Sequence, residues 1–128
     1  MRSLVDTQSA IWYVDMDHLL SPTAHAAITN PMNDLVLSAA SVWEISIKVG
    51  QGKLTLSLPY RQWMAKAIAD LDLTILPITV DYADVQAKLP HHHRDPFDRL
   101  IVAQTMVEGI SVISSDSQLD AYGITRIW

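Results

Sequence analysis

Two hydrophobic rhythms alternate along the chain. Leu4-Val5, Leu35-Val36-Leu37, 73–78, Ser111-Val112-Ile113-Ser114 and 124–128 are short apolar runs without polar alternation. That is the pattern of strands covered on both faces. Between them lie longer segments with helical spacing: 7–14, a helix opened by Ser21-Pro22 and ending near Asn30-Pro31, 39–49, 59–71, 80–89 and 96–108. A short helix ending at Gly123 precedes the last run. Ser at an N-cap followed by Pro at the first helical position is a strong start signal, and Gly109 is a good stop. Gly50 and Gly52 are read as closing the 39–49 helix. The clearest helix is 59–71, where Tyr60, Trp63, Met64, Ala67, Ile68 and Leu71 form one apolar stripe, read as core. The order β-α-α-β-α-α-β-α-α-β-α-β predicts an α/β fold of three layers, α/β/α, around a mostly parallel sheet of four to five strands.

Composition adds boundaries. At 128 residues and 49% hydrophobic, the chain is read as one domain spanning 1–128 with a sizeable core. Cysteine is absent, which excludes disulfides, thiolate zinc sites and cysteine nucleophiles. No run approaches the roughly 20 apolar residues of a membrane span, and an acid at position 6 comes too early for a secretory signal. The expectation is a cytoplasmic protein with no membrane partner. Nine Lys and Arg against 14 Asp and Glu give a net charge of −5, which argues against a broad basic groove for nucleic acid.

The placement of the acids changes that picture. Ligands of open parallel sheets bind beyond the carboxyl ends of the strands. Asp6 directly follows the first strand, Glu44 lies in the helix after the second, Asp98 opens the helix leading into the fourth, and Asp116 follows the fourth. Each has a structural reading as well. Asp6 and Asp116 suit N-caps, and Asp95-Pro96-Phe97-Asp98 reads as a cap, a first-turn Pro and an acid favoured by the helix dipole. Ser41-Val42-Trp43-Glu44 matches a capping box, but Ser38 is the better N-cap, which leaves Glu44 without a capping role. Together, four carboxylates in one place repel one another and raise each other's pKa unless a cation neutralises them. Oxygen ligands suit magnesium or manganese, and such an ion suits phosphodiester hydrolysis. Without these four, ten acids remain against nine bases, so most of the excess charge lies in the candidate site.

The residues also resemble a known family. Leu4-Val5-Asp6-Thr7, Ser38-Ala39-Ala40-Ser41-Val42-Trp43-Glu44-Ile45 with Lys48, Gly52-Lys53-Leu54, the block His92-His93-Arg94-Asp95-Pro96-Phe97-Asp98-Arg99-Leu100-Ile101 with Ala103-Gln104, Ser114-Ser115-Asp116 and the close from Tyr122-Gly123 to Trp128 carry it. The sequence resembles PIN-domain ribonucleases of the VapC type, the toxic half of toxin–antitoxin pairs. The resemblance implies a magnesium- or manganese-dependent endoribonuclease with Asp6, Glu44, Asp98 and Asp116 as catalytic and metal-binding residues. Asp6 and Asp98 would be the firmest ligands. It also implies an RNA substrate, a cognate antitoxin and a homodimer. Ser114 stands where the family often has Thr, and Gln8 where this subgroup often has His.

Ser114, Arg94, Arg99 and Thr7 are the candidate substrate contacts, with pairing to neighbouring acids as the alternative for the arginines. His91-His92-His93 cannot all face one ion and is read chiefly as a polar loop placing the Asp98 helix. Lys48 and Lys53 are read as solvated, and Trp12, Trp43, Trp63 and Trp128 as core or interface. Two other function classes compete. A receiver-type signalling domain would need paired acids after the first strand and a Lys after the last, and neither is present. A binding module without catalysis would not need all four acids.

Overall fold

The computed structural model describes residues 1–128 and contains five parallel strands in the order β3-β2-β1-β4-β5. The strands are β1 (Arg2–Val5), β2 (Asp34–Ser38), β3 (Thr74–Leu76), β4 (Ser111–Ile113) and β5 (Arg126–Ile127). Helices α1 (Thr7–Asp15) and α2 (Pro22–Thr29) connect β1 to β2, and α3 (Ala39–Gly50) and α4 (Tyr60–Leu71) connect β2 to β3. The return across the sheet uses α5 (Val80–Lys88) and α6 (Pro96–Glu108). This is the α/β/α arrangement expected from the alternation of runs.

The sheet separates two cores, and successive residues of one strand serve different ones. Val5, Leu35, Leu37 and Ile113 pack with Ile11, Ile45, Trp63 and Leu71 beneath α1–α4. Leu4, Val36 and Val112 pack with Tyr82, Leu100, Val102 and Leu119 on the face covered by α5 and α6. Both faces of each strand are therefore apolar, which is why the sequence shows no alternation. Of the α4 stripe, Trp63, Met64, Ala67 and Leu71 are buried, whereas Ile68 at its margin is exposed. Trp63 is fully buried, and its Nε1 donates to Asp15 Oδ1 at 3.0 Å, fastening α4 to the end of α1. The rings of Trp12 and Trp128 lie 5.8 Å apart.

Several boundaries differ from expectation, among them β3, which runs only from Thr74 to Leu76. Gly50 stays within α3. The helix ends there, with Gln51 as its cap, and Gly52 just beyond, at a φ of 70°, lets Lys53 N–H reach Lys48 O at 2.9 Å in a left-handed C-terminal turn. The short helix before Gly123 is a 3₁₀ turn, Ser117–Tyr122. The final strand is shorter than predicted, because β5 pairs with β4 only through Arg126 and Ile127.

Chain order reverses between β1 and β4: the chain first builds outward from β1 through β2 and β3, then returns to lay β4 on the other side. A crevice at the carboxyl ends of β1 and β4 is the position such a switch favours for a ligand. Asp6 N–H donates to Ile113 O at 3.1 Å, tying those two strand ends together. Replacing Trp63 with Ala is expected to cost about 3–5 kcal/mol, read from urea midpoints; a loss below about 1 kcal/mol would contradict its place as the junction of α1 and α4.

Candidate active site

The acids arrive at this crevice through local chain chemistry. Asp6 is the N-cap of α1, with Oδ1 accepting Ser9 N–H at 2.8 Å, and Asp116 is the N-cap of the 3₁₀ turn, with Oδ1 accepting Gln118 N–H at 3.0 Å. Asp95 caps α6 through the N–H groups of Phe97 and Asp98, at 2.8 and 3.3 Å. Ser38 caps α3 through Ala40 N–H, leaving Glu44 in the second turn. The structural and functional readings of these acids therefore coexist. Capping engages Oδ1 of Asp6 and of Asp116, and each retains a second carboxylate oxygen.

Asp6, Glu44, Asp98 and Asp116 line one cleft of about 450 Å³, together with Asp95, Lys48 and Lys53. Glu44 is buried and doubly engaged: Oε1 meets the Thr7 hydroxyl at 2.7 Å and Oε2 accepts from Lys48 Nζ at 2.7 Å. Glu44 is what raises the Lys48 pKa, chiefly through that hydrogen bond. Asp98 is pushed up to about 7, first by burial and then by the neighbouring Asp95, with Glu44 and Asp6 adding to the rise and His93 opposing it. Burial also raises Asp6; Ser114 and Ser9 pull part of that rise back, and Asp116 adds to it.

Several candidate contacts prove to have internal partners. The Thr7 hydroxyl bridges Glu44 and Ser41 Oγ, the latter at 2.8 Å. Ser114 is buried, and its hydroxyl accepts Asp116 N–H at 3.1 Å. Arg99 is buried and donates to the carbonyls of Pro90, Gln86 and Leu89 at 2.9, 3.1 and 3.3 Å, and to the Tyr122 hydroxyl at 3.4 Å. Its guanidinium serves the chain before α6 rather than the cleft. Arg94 is exposed. Lys48, read as solvated, is an ion-pair partner of Glu44.

One neighbour of the acids was not singled out from the sequence. His93 Nε2 lies 2.8 Å from Asp116 Oδ2 and 3.4 Å from Asp98 Oδ2. The ligand-capable atoms of these three residues lie within 4.8 Å of one another. Among three adjacent histidines the sequence carries no signal that sets His93 apart. Trp43 is 62% exposed beside the cleft-lining Glu44, its ring edge-on to Phe97 at 5.9 Å. The donor set fits a hard divalent ion: carboxylate oxygens from four aspartates and a glutamate, with no sulfur.

Comparison with known proteins identifies the family and the fold. A model of the PIN domain family matches residues 3–124, and the chain belongs to that family. It is 28% identical over 120 residues to Ribonuclease VapC22 of Mycobacterium tuberculosis (strain ATCC 25618 / H37Rv), covering 93% of this chain and 90% of that protein. Its fold resembles VapBC2 from Rickettsia felis, solved bound to a DNA fragment from their promoter: TM-score 0.69, 14% identity, 98% of this chain and 97% of the other. It also resembles VapBC-1 from nontypeable Haemophilus influenzae, with TM-score 0.68, 15% identity and coverage of 98% and 96%.

The Asp98 environment has a consequence for stability. Its pKa is about 7 when folded, against an ordinary 3.8, so between those values the folded state holds the extra proton. Metal-free stability contributed by this group therefore falls as pH rises from about 4 to about 7. Asp98→Asn removes that penalty. In chelator, its Tm should clearly exceed that of the parent at pH 8, where the penalty is fully present, and by little at pH 4. A Tm difference independent of pH would contradict this.

Proposed function

We propose that residues 1–128 act as one catalytic domain, a magnesium- or manganese-dependent endoribonuclease that is the toxin of a toxin–antitoxin pair. The carrying observation is the meeting of Asp6, Glu44, Asp98 and Asp116, from four separate segments, in one cleft at the β1/β4 switch. The likeness to Ribonuclease VapC22 and to the VapBC folds supports the same reading, including an antitoxin partner. A homodimer and a cytoplasmic location are part of the proposal.

In this reading Asp6, Asp98 and Asp116 hold the divalent ion. Such an ion would supply a lowered pKa for a bound water and screening of the phosphate charge. Glu44 is the buried fourth carboxylate of the cluster, and its pairing with Thr7 and Lys48 fixes its orientation. Lys48 and Lys53 stand at the cleft margin, where cations favour the approach of a phosphodiester backbone. Only a small footprint is needed, which suits an acidic protein: cations offset repulsion locally at one phosphate. Ionised Asp98 is the form that takes a cation, so metal affinity should rise with pH up to about 7 and then level off.

Purified protein free of antitoxin should cut total RNA at defined sites, and a chelator should stop it. Asp6→Asn and Asp98→Asn should each lower cleavage by at least about 100-fold, the scale of losing a well-placed charge in a catalytic site, with circular dichroism unchanged. Retained cleavage in both variants, or cleavage indifferent to chelator, would overturn the assignment.

A further inference from the structure

We propose that His93 is a positioning residue of the carboxylate cluster: its Nε2–H holds Asp116 beside Asp98 at a spacing that takes a divalent ion. The proposal rests on the divalent-ion reading of the cleft and adds to it a residue outside the acid set.

Two observations define the imidazole. Its Nδ1 accepts the Asp95 backbone N–H at 3.1 Å. A ring nitrogen that accepts carries no proton, so the proton of the neutral ring is on Nε2, which then donates to Asp116 Oδ2 at 2.8 Å. In this tautomer Nε2 is a donor and not a metal ligand, although its distances alone would allow ligation. A neutral donor is suited to the task. It orients a carboxylate while leaving the cluster's negative charge available to a cation, whereas a Lys or Arg there would cancel part of it. The bonded oxygen keeps a lone pair for the ion, the usual arrangement of outer-shell partners.

The surroundings hold the ring in place. His93 N–H donates to the Tyr122 hydroxyl at 3.0 Å, and that hydroxyl donates to Pro90 O at 2.9 Å. Arg99 gathers Pro90 O, Leu89 O and Gln86 O from below. The segment from Pro90 to Asp95 is thus held at Pro90 and at the His93 N–H, and at its far end by the Asp95 cap and by Arg99 N–H, which donates to Asp95 O at 3.0 Å. Truncating that side chain costs the segment only the bond from Asp95 N–H to Nδ1 and leaves these others in place.

The test compares His93→Ala, His93→Gln, Asp98→Asn and the parent protein by titration calorimetry with Mn²⁺ in the absence of RNA. His93→Ala should bind Mn²⁺ about tenfold or more weakly, within the range measured for outer-shell partners, with its Tm in chelator within a few degrees of the parent. His93→Gln, whose amide N–H reaches a similar position, should recover most of the affinity. In cleavage assays, His93→Ala should need about tenfold more Mn²⁺ for half-maximal rate and approach the parental rate at saturation. If His93→Ala binds Mn²⁺ as the parent does while Asp98→Asn does not, the positioning role is overturned and the metal site stands. If His93→Gln is as weak as His93→Ala, the donor role is overturned in favour of direct ligation by imidazole. If the parent itself binds no Mn²⁺, the divalent-ion reading is overturned together with the role of His93.

Discussion

Like charges brought into a half-buried cleft repel one another, and the carboxyl end of this molecule is organised around that repulsion. Burial keeps Asp98 from ionising freely, and the neighbouring Asp95, Glu44 and Asp6 add to the difficulty. The fold relieves the strain piecemeal. Backbone N–H groups at three N-termini donate to Asp6, Asp95 and Asp116, and Lys48 and Thr7 donate to Glu44. His93 lies between Asp116 and Asp98. Oxygens remain that none of these groups occupies, and a hard cation is the partner their chemistry calls for.

The elements that do not touch the cleft work at a distance to keep it in shape. Parallel pairing of β1 with β4 sets Asp6 and Asp116 at neighbouring strand ends. Trp63, Asp15 and Ser57 tie α4, α1 and the loop between α3 and α4 together; the Ser57 hydroxyl meets Asp15 Oδ1 at 2.6 Å. On the opposite face, Arg99 and Tyr122 brace the segment before α6. A buried guanidinium held by carbonyls and a hydroxyl is costly to desolvate, and here its hydrogen bonds replace those lost to water. Positional precision at the acids thus depends on polar contacts that lie outside the cleft.

Much of this was legible in the sequence, for identifiable reasons. Strand and helix order followed from apolar runs set against helical periodicity, and caps at Ser21, Ser38 and Asp95 marked where helices begin. The acids were legible because strand-to-helix junctions are local features and parallel sheets collect those junctions on one edge. Non-local partnerships were not. Arg99 resembles a phosphate contact by sequence position, yet the carbonyls it serves belong to the preceding turn and to α5. His93 was hidden among three adjacent histidines, and only the three-dimensional course of the Pro90–Asp95 segment separates it from His91 and His92. The exposed margin of the α4 stripe at Ile68 depends on how α4 rests on α3 and the sheet edge, which periodicity alone does not carry.

The central claim is that these carboxylates form a cation site. Anomalous diffraction from a crystal of the antitoxin-free protein soaked in Mn²⁺ tests it most directly. The account predicts a manganese peak in the cleft, in contact with oxygens of Asp98 and Asp116 and, directly or through water, of Asp6. A fully occupied soak with no peak there, or with manganese bound only elsewhere, would contradict it.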